Sequence, residues 1–211
     1  MNSYLASAPK ISLVLVLAFC AACTHLPPAG SIASAPVAAV GEDADPRSSV
    51  MRTANAIAQG EAALRSDQAD SLMRAAQILA AVGARPADSN ADNLADTWAQ
   101  IASRQNPQLV APIYRGRLLG PAYKSGTITG NGGIVIEQLF LAGKKATVAL
   151  VPAAASKLTI HVKNGNGEPI CVKPKVKEKA SCQWLPVFTD RFEIRVQNQS
   201  QTSVKYHLVL N

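Results

Sequence analysis

Residues 107–211 alternate between apolar and polar positions, and this period of two limits the fold more than any other feature of the chain. Successive side chains of a strand point to opposite faces, so the alternation predicts strands with one buried face. The segments are "GIVIEQLFLAG", "KATVALVPA", "KLTIHVKN", "EPICVK", "SCQWLPV", "RFEIRVQN" and "SVKYHLVLN". Clusters of Gly, Asn, Asp and Pro separate them, which is typical of an antiparallel β-sandwich.

Residues 46–106 have a different period. Apolar residues recur there at helical spacing, and we expect about three helices with narrow apolar stripes that pack on each other and on the sandwich. The expected bounds are 46–65 for the first, Ser66 or Asp67 to Gly83 for the second, and Ser89 or Asn90 to Asn106 for the third. The chain is therefore predicted to be an α+β protein, with a helical segment at 46–106 and a β-sandwich domain at 107–211.

The sandwich segment also resembles a known family. The residues that carry the likeness are "QLFLAGKKATVAL", "KLTIHVKNGNGEPIC", "CQWLPVFTDRFEIRVQN" and "YHLVL". In their order of strands and turns they resemble the bacterial pre-peptidase C-terminal domain, although Asp190-Arg191-Phe192 stands where that family commonly has a Gly-Tyr turn. The resemblance implies a jelly-roll-like sandwich and a non-catalytic accessory role in targeting or surface binding.

The N-terminus indicates export. Residues 11–22 form an apolar run, too short to cross a bilayer but of the length found in signal peptides, so residues 1–22 are predicted to be removed. The end of the run resembles a bacterial lipobox, which implies lipidation of Cys23 and, with Thr24 after it, the periplasm-facing side of the outer membrane. Cys20 departs from the lipobox pattern, so cleavage without a lipid and a secreted or periplasmic protein remain the alternative. Residues 23–45, rich in Ala, Pro, Ser and Gly, are predicted to be a flexible tether.

Export decides how the remaining cysteines are interpreted. After removal of Cys20 and lipidation of Cys23, only Cys171 and Cys182 are left, and in an oxidising compartment a disulfide between them is expected. Ten residues separate these two cysteines, which does not suit a redox motif, and the three histidines are too scattered to complete a zinc site.

Four lysines at alternate positions lie between the two cysteines: Lys173, Lys175, Lys177 and Lys179. In an extended segment they would share one face. One interpretation is a solvated edge that resists aggregation. The other is a binding site for an anionic partner such as lipid head groups, lipopolysaccharide phosphates or acidic glycans. Export disfavours nucleic acid as that partner.

The charge is divided between the two segments. Residues 41–106 carry six basic and nine acidic side chains, a net charge of −3, whereas residues 107–211 carry fourteen basic and five acidic side chains, a net charge of +9. Either the acidic helices dock on the basic sandwich, or a basic face stays available to an anionic partner.

No recognised catalytic motif is found, and the sequence assigns no catalytic residue, metal ligand or cofactor. His161 and His207 are expected to be exposed, because each alternates with apolar neighbours on its strand. A dispersed set of one histidine, Asp190 and a nucleophile, or a pair among Glu137, Glu168 and Glu193, stays open as an alternative. Trp184 is expected in the core, and Tyr114 and Tyr123 are the candidates for exposed aromatic residues.

The sequence favours an outer-membrane lipoprotein that acts as a non-catalytic binding or assembly module of the cell envelope. Its partners would be the membrane, through the lipid, and an anionic envelope component or an envelope protein. Two alternatives remain: an accessory or inhibitor protein that captures an envelope partner through its helices, and a hydrolase with a dispersed site.

Overall fold

The computed structural model describes residues 48–110 and 120–211. Three helices and nine strands are found in these ranges. The helices are α1 (Ser49–Arg65), α2 (Ala69–Val82) and α3 (Leu94–Gln105). The strands are β1 (Arg85–Pro86), β2 (Ala122–Ile128), β3 (Gly133–Phe140), β4 (Ala146–Pro152), β5 (Leu158–Lys163), β6 (Pro169–Val176), β7 (Ala180–Trp184), β8 (Asp190–Asn198) and β9 (Val204–Leu210).

The helix ends differ in part from those expected. Gly83 ends α2 in the left-handed conformation, as predicted, since glycine adopts positive φ without a steric penalty. The predicted N-caps are wrong for the other two ends. Gln68 precedes α2 without a side-chain cap, because Ser66 ends α1 instead. Asn93 caps α3 through a bond from the Ala95 amide, three residues after the predicted Asn90.

The three helices pack on each other through small residues. Helix α1 contacts α2, and α2 contacts α3. At Gly60 of α1 the ring of Trp98 in α3 lies so close that a Cβ atom would be 2.0 Å from its nearest carbon. The absence of a Cβ atom at Gly60 therefore allows the fully buried Trp98 ring to pack directly against α1.

The strands form two sheets with the order β1-β2-β9-β4-β7 and β3-β8-β5-β6. Every pairing is antiparallel except that of the short β1 with β2. Without β1, the orders 2-9-4-7 and 3-8-5-6 are those of an eight-stranded jelly roll with two Greek keys. The predicted α+β class and jelly-roll-like sandwich are confirmed.

The β4-containing sheet is buried on both faces. All seven residues of β4 are buried: Val148 and Leu150 belong to the core between the two sheets, whereas Ala149 and Val151 belong to the core under the helices. The protein therefore has three layers, with the helices on one face of the five-stranded sheet and the second sheet on the other. The predicted packing of the helices on the sandwich is confirmed.

Three aromatic rings fill one part of the sandwich core. Phe140 meets Trp184 edge to face at 4.9 Å, and Phe192 lies 5.2 Å from Trp184. Trp184 is buried, as predicted.

The connections between strands divide between the two ends of the sandwich. Those from β2 to β3, β4 to β5, β6 to β7 and β8 to β9 lie at one end, because the strands run antiparallel. We call this the lysine end, since the β6–β7 turn carries Lys177 and Lys179. The connections β3–β4, β5–β6 and β7–β8 lie at the opposite end, where the Gly143 amide donates to the Pro186 carbonyl at 2.9 Å.

Candidate functional site

A disulfide joins Cys171 to Cys182, with the two Cα atoms 5.9 Å apart, as the sequence predicts. Cys171 lies on β6 of the four-stranded sheet, and Cys182 lies on β7 of the five-stranded sheet. The bond therefore does not cross-link a β-hairpin, because β6 and β7 do not pair with each other. It links the two sheets at their open edge and holds both ends of the lysine-bearing segment.

The four lysines do not share one face of a continuous strand, so that part of the expectation is wrong. Strand β6 ends at Val176, and Lys177 and Lys179 lie in the turn that follows. Within β6 the pairing shifts: Lys173 is opposite Ile160 but Val176 is opposite Leu158, which inserts one extra residue. Such a bulge turns the strand, and Lys175 adopts a φ of 55° there.

The bulge and the turn nevertheless bring the four lysines around one open depression of about 440 Å³. We call it the lysine depression. Its lining consists of Lys173, Pro174, Lys175, Val176, Lys177, Glu178, Lys179, Ala180 and Ser181. Lys175 and Lys177 are exposed, and the Lys179 ammonium group donates to the side-chain carbonyl of Asn55 on α1. One side chain of the depression thus also contacts the helical layer.

His207 is fully buried, which corrects the expectation that it is exposed. Its side chain does point away from the sandwich core, as the alternation on β9 indicates, but α1 covers that face of the sheet. Nε2 of His207 lies 2.7 Å from a carboxylate oxygen of Glu61 on α1, and Nδ1 lies 2.7 Å from the hydroxyl of Ser125 on β2. The Lys205 ammonium group donates to the same Glu61 oxygen at 2.9 Å.

The carboxylate of Glu61 is stabilised in its charged form. Burial acts to raise its pKa, but the hydrogen bonds from His207 and Lys205 and their charges outweigh burial and lower the pKa below its ordinary value of 4.5. An ionised Glu61 only accepts hydrogen bonds, so Nε2–H of His207 is assigned as the donor to it.

Ser125, His207 and Glu61 are the residue types of a hydrolase triad. The two histidine nitrogens, however, face the opposite partners from those in a hydrolase. In serine hydrolases the nucleophile bonds to Nε2 and the carboxylate orients Nδ1. Here Nδ1 faces Ser125, directly opposite on the paired strand, and Nε2 reaches up to the overlying helix. The arrangement therefore fits a polar contact that docks α1 on the sheet better than an activated nucleophile.

Sequence reasoning missed this network, although one signal was available. Glu61 follows Ile57 by four residues and precedes Leu64 by three, so it stands on the apolar stripe of α1. A charged residue at such a position requires a buried partner. The partner lies 146 residues away, which spacing in the sequence does not reveal.

The structure does not bring the other polar candidates into one site. His161 lies on β5 opposite Arg195 on the outer face of the four-stranded sheet. Asp190 is the first residue of β8, and its carboxylate accepts from the Gly165 amide at 3.1 Å. Glu137 and Glu193 are directly opposite on β3 and β8, but each pairs with an arginine, Arg191 and Arg195 respectively.

Tyr123 is buried, which corrects its assignment as an exposed aromatic residue. Its hydroxyl oxygen accepts a hydrogen bond from the Leu94 amide at the start of α3, at 2.8 Å. Burial raises the pKa of this phenol. Tyr114, Cys23, the predicted signal peptide and the tether lie outside the described residues.

Within 48–110 and 120–211, no three or more His, Cys, Asp or Glu side chains gather where they could hold a metal ion. In the same ranges no helix is both long enough and apolar enough to span a bilayer.

No protein-family model matches the chain, and no curated protein matches it. Solved structures with β-sandwich-like domains do. The pre-peptidase C-terminal domain of a collagenase from Bacillus anthracis has a TM-score of 0.39 and 8% identity, over 43% of this chain and 89% of that one. PliG, a periplasmic inhibitor of g-type lysozyme from Aeromonas hydrophila, has a TM-score of 0.35 and 18% identity, over 47% and 92%. The mitogen from Yersinia pseudotuberculosis has a TM-score of 0.33 and 16% identity, over 44% and 85%.

Proposed function

We propose that this chain is an exported lipoprotein, lipidated at Cys23, and that its folded part is a non-catalytic binding module of the bacterial cell envelope. In this proposal the lysine depression binds an anionic envelope component. The observation that carries the proposal is that a bulge and a turn bring four lysines around one depression. A disulfide joins the two ends of the segment that bears them.

The geometry favours an anion of loosely defined shape. Lysine presents a compact, hydrated charge on a flexible stem, whereas arginine offers a planar fork that matches one carboxylate or phosphate. The depression is lined by four lysines and no arginine. Such a set suits several phosphate groups on a surface, as in lipopolysaccharide, better than a single small ligand held in a fixed pose.

The lysine depression also contains one opposing charge. Glu178 lies in the same turn and is exposed. It leaves a net charge of +3 on the lining. The field is therefore moderate, and binding should depend strongly on ionic strength because Lys175, Lys177 and Lys179 are exposed.

The test is retention on lipopolysaccharide micelles by the full chain and by a variant with all four lysines changed to glutamine. Binding of the variant should be weaker by roughly 10³-fold at low salt, at about 1 kcal/mol for each lysine near an anionic surface. Dephosphorylated micelles should retain the parent chain poorly. The retention of the parent should fall steeply as salt is added.

A matched control removes the same charge elsewhere. Arg74, Arg85, Arg104 and Lys124 are exposed and do not line the depression. Their change to glutamine should leave most of the retention intact. Equal losses in the two variants would mean that net charge, rather than the depression, is responsible, and would overturn the proposed site.

Lipidation is tested separately. Mass spectrometry of protein from the native host should find an acylated N-terminal Cys23, and Cys23→Ser should abolish that species. An unprocessed N-terminus in the native host would contradict export without bearing on the anion-binding assay.

A further inference from the structure

The end of the sandwich opposite the lysine end carries a cluster of exposed apolar side chains. Leu141 lies in the β3–β4 connection, and Leu185, Val187 and Phe188 lie in the β7–β8 connection. Their exposed fractions are 54%, 60%, 63% and 78%. We call these four residues the apolar tip.

The two connections are held together, so the apolar tip is a built feature of the fold. The Gly143 amide donates to the Pro186 carbonyl, and the Ala142 amide donates to the Thr189 hydroxyl at 3.0 Å. Pro186 is buried between exposed Leu185 and Val187. The backbone is thus fixed while the large apolar side chains are directed into solvent, which is unfavourable unless something covers them.

Two exposed lysines, Lys144 and Lys145, follow Leu141 in the same short connection. Two carboxylates also lie at this end: Asp190 accepts from the Gly165 and Arg191 amides, and Glu168 accepts from the Asn164 side chain. They keep their charges, but Lys163 and Arg191 at the same end offset them and leave Lys144 and Lys145 in excess. Apolar side chains on protruding loops, with lysines beside them, match the boundary between acyl chains and anionic head groups. The apolar groups enter the bilayer, and the ammonium groups stay at head-group level.

We propose that the apolar tip inserts into the interface of an anionic lipid bilayer, with Lys144 and Lys145 against the lipid phosphates. Because the lysine depression lies at the opposite end of the jelly roll, this orientation directs the depression away from that bilayer. The inference does not require lipidation of Cys23, and it assigns the apolar tip and the lysine depression to different surfaces.

The test uses the full chain carrying Cys23→Ala, with a tryptophan introduced at the apolar tip by Phe188→Trp. Vesicles of phosphatidylglycerol and phosphatidylcholine with brominated acyl chains should quench the added fluorescence. The native residues Trp98 and Trp184 also fluoresce, but both are buried. Their contribution to the quenching is measured in the parent chain and subtracted as background. The control is Ser203→Trp in the exposed β8–β9 connection at the lysine end, which should not be quenched.

The contribution of charge is measured in the same signal. Adding Lys144→Gln and Lys145→Gln to Phe188→Trp should lower the equilibrium constant for insertion about fivefold per lysine on anionic vesicles. On purely zwitterionic vesicles the two changes should have no effect. The midpoint of urea unfolding, measured for each variant, should stay at the parent value because the altered side chains are exposed.

Three results would overturn the inference. One is absence of quenching at position 188 in folded protein, and another is quenching at position 203 instead. The third is parent dimerisation in sedimentation that Phe188→Ser abolishes, without quenching by lipid, which would make the apolar tip an interface between copies. Loss of lipopolysaccharide retention in the lysine-depression variant would not affect any of these readouts.

Discussion

The carboxylate of Glu61 and Nε2 of His207 lie 2.7 Å apart, although the two residues are 146 positions apart in the chain. Helix α1 and strand β9 are thereby joined by a buried polar contact inside a largely apolar layer. Buried polar groups are costly unless paired, so this contact favours one seating of the helix on the sheet over alternatives that would leave either group without its partner.

Changing Glu61 to alanine should destabilise the fold by about 3 kcal/mol, because it removes one member of a buried charged network. The loss should be near the low end for such changes, since Lys205 is half-exposed and stays solvated. Urea unfolding at neutral pH measures it. Glu178→Ala, which removes an exposed carboxylate, should change the free energy of unfolding by less than about 0.5 kcal/mol. Equal effects of the two changes would contradict the assigned role.

The same network predicts an acid dependence of stability. The pKa of Glu61 in the folded protein lies below its ordinary value of 4.5, so its contribution is fully present above about pH 4.5. It is lost as the pH falls through the lower folded pKa, because protonation then removes the acceptor of His207 and Lys205. Unfolding free energies of the parent and of Glu61→Gln, compared between pH 7 and pH 3, should converge towards acid. A constant difference over that range would exclude this linkage.

Gly60→Ala should destabilise the helical layer by about 1–3 kcal/mol through overpacking against Trp98, despite the better helix propensity of alanine. In a Trp98→Leu background the cost should shrink, which a double-mutant cycle measures. Gln59→Ala, on the exposed face of the same helix, is the control. If the cost of Gly60→Ala is the same in both backgrounds, the close contact is not its cause.

Replacing Cys171 and Cys182 by serine should lower the free energy of unfolding by about 3 kcal/mol, the chain-entropy value for a loop of this length. It should also weaken lipopolysaccharide retention, since the bond holds both ends of the lysine-bearing segment. Parent protein in reducing buffer should behave like the double variant. Unchanged stability with lost retention would separate the two effects.

Ser125 should not react with a fluorophosphonate probe, because the histidine nitrogen that faces it is not the one that activates a hydrolase serine. Labelling is measured by mass spectrometry, with Ser125→Ala as the control. Covalent modification of Ser125 in the folded parent would contradict this prediction and support the alternative that the protein is a hydrolase.

Predictions from the sequence succeed where a structural feature depends on neighbouring residues, and they fail where it depends on residues far apart in the chain. Alternation along residues 107–211 places Leu158, Ile160 and Val162 on one face of a strand, because the pleat is local geometry. It also places His207 correctly on the opposite face of β9 from Leu208. The alternation does not show what packs on that face. Exposure was therefore wrongly inferred for His207 and Tyr123, because the helices lie over them.

The lysine segment shows the same division. Its spacing predicts an extended run, but the bulge at Lys175 and the end of β6 at Val176 depend on pairing with β5.

From the sequence alone come the α+β class, the sandwich, the pairing of two cysteines and the helix end at Gly83, since periodicity, residue count and backbone preference are carried by neighbouring residues. Only the tertiary structure decides that the disulfide links two sheets, that four lysines surround one depression, that Glu61 meets His207, and that an apolar tip lies at the far end. Each of these depends on how segments distant in the chain pair or pack, and that is set by the arrangement of the layers, a property that no local pattern contains.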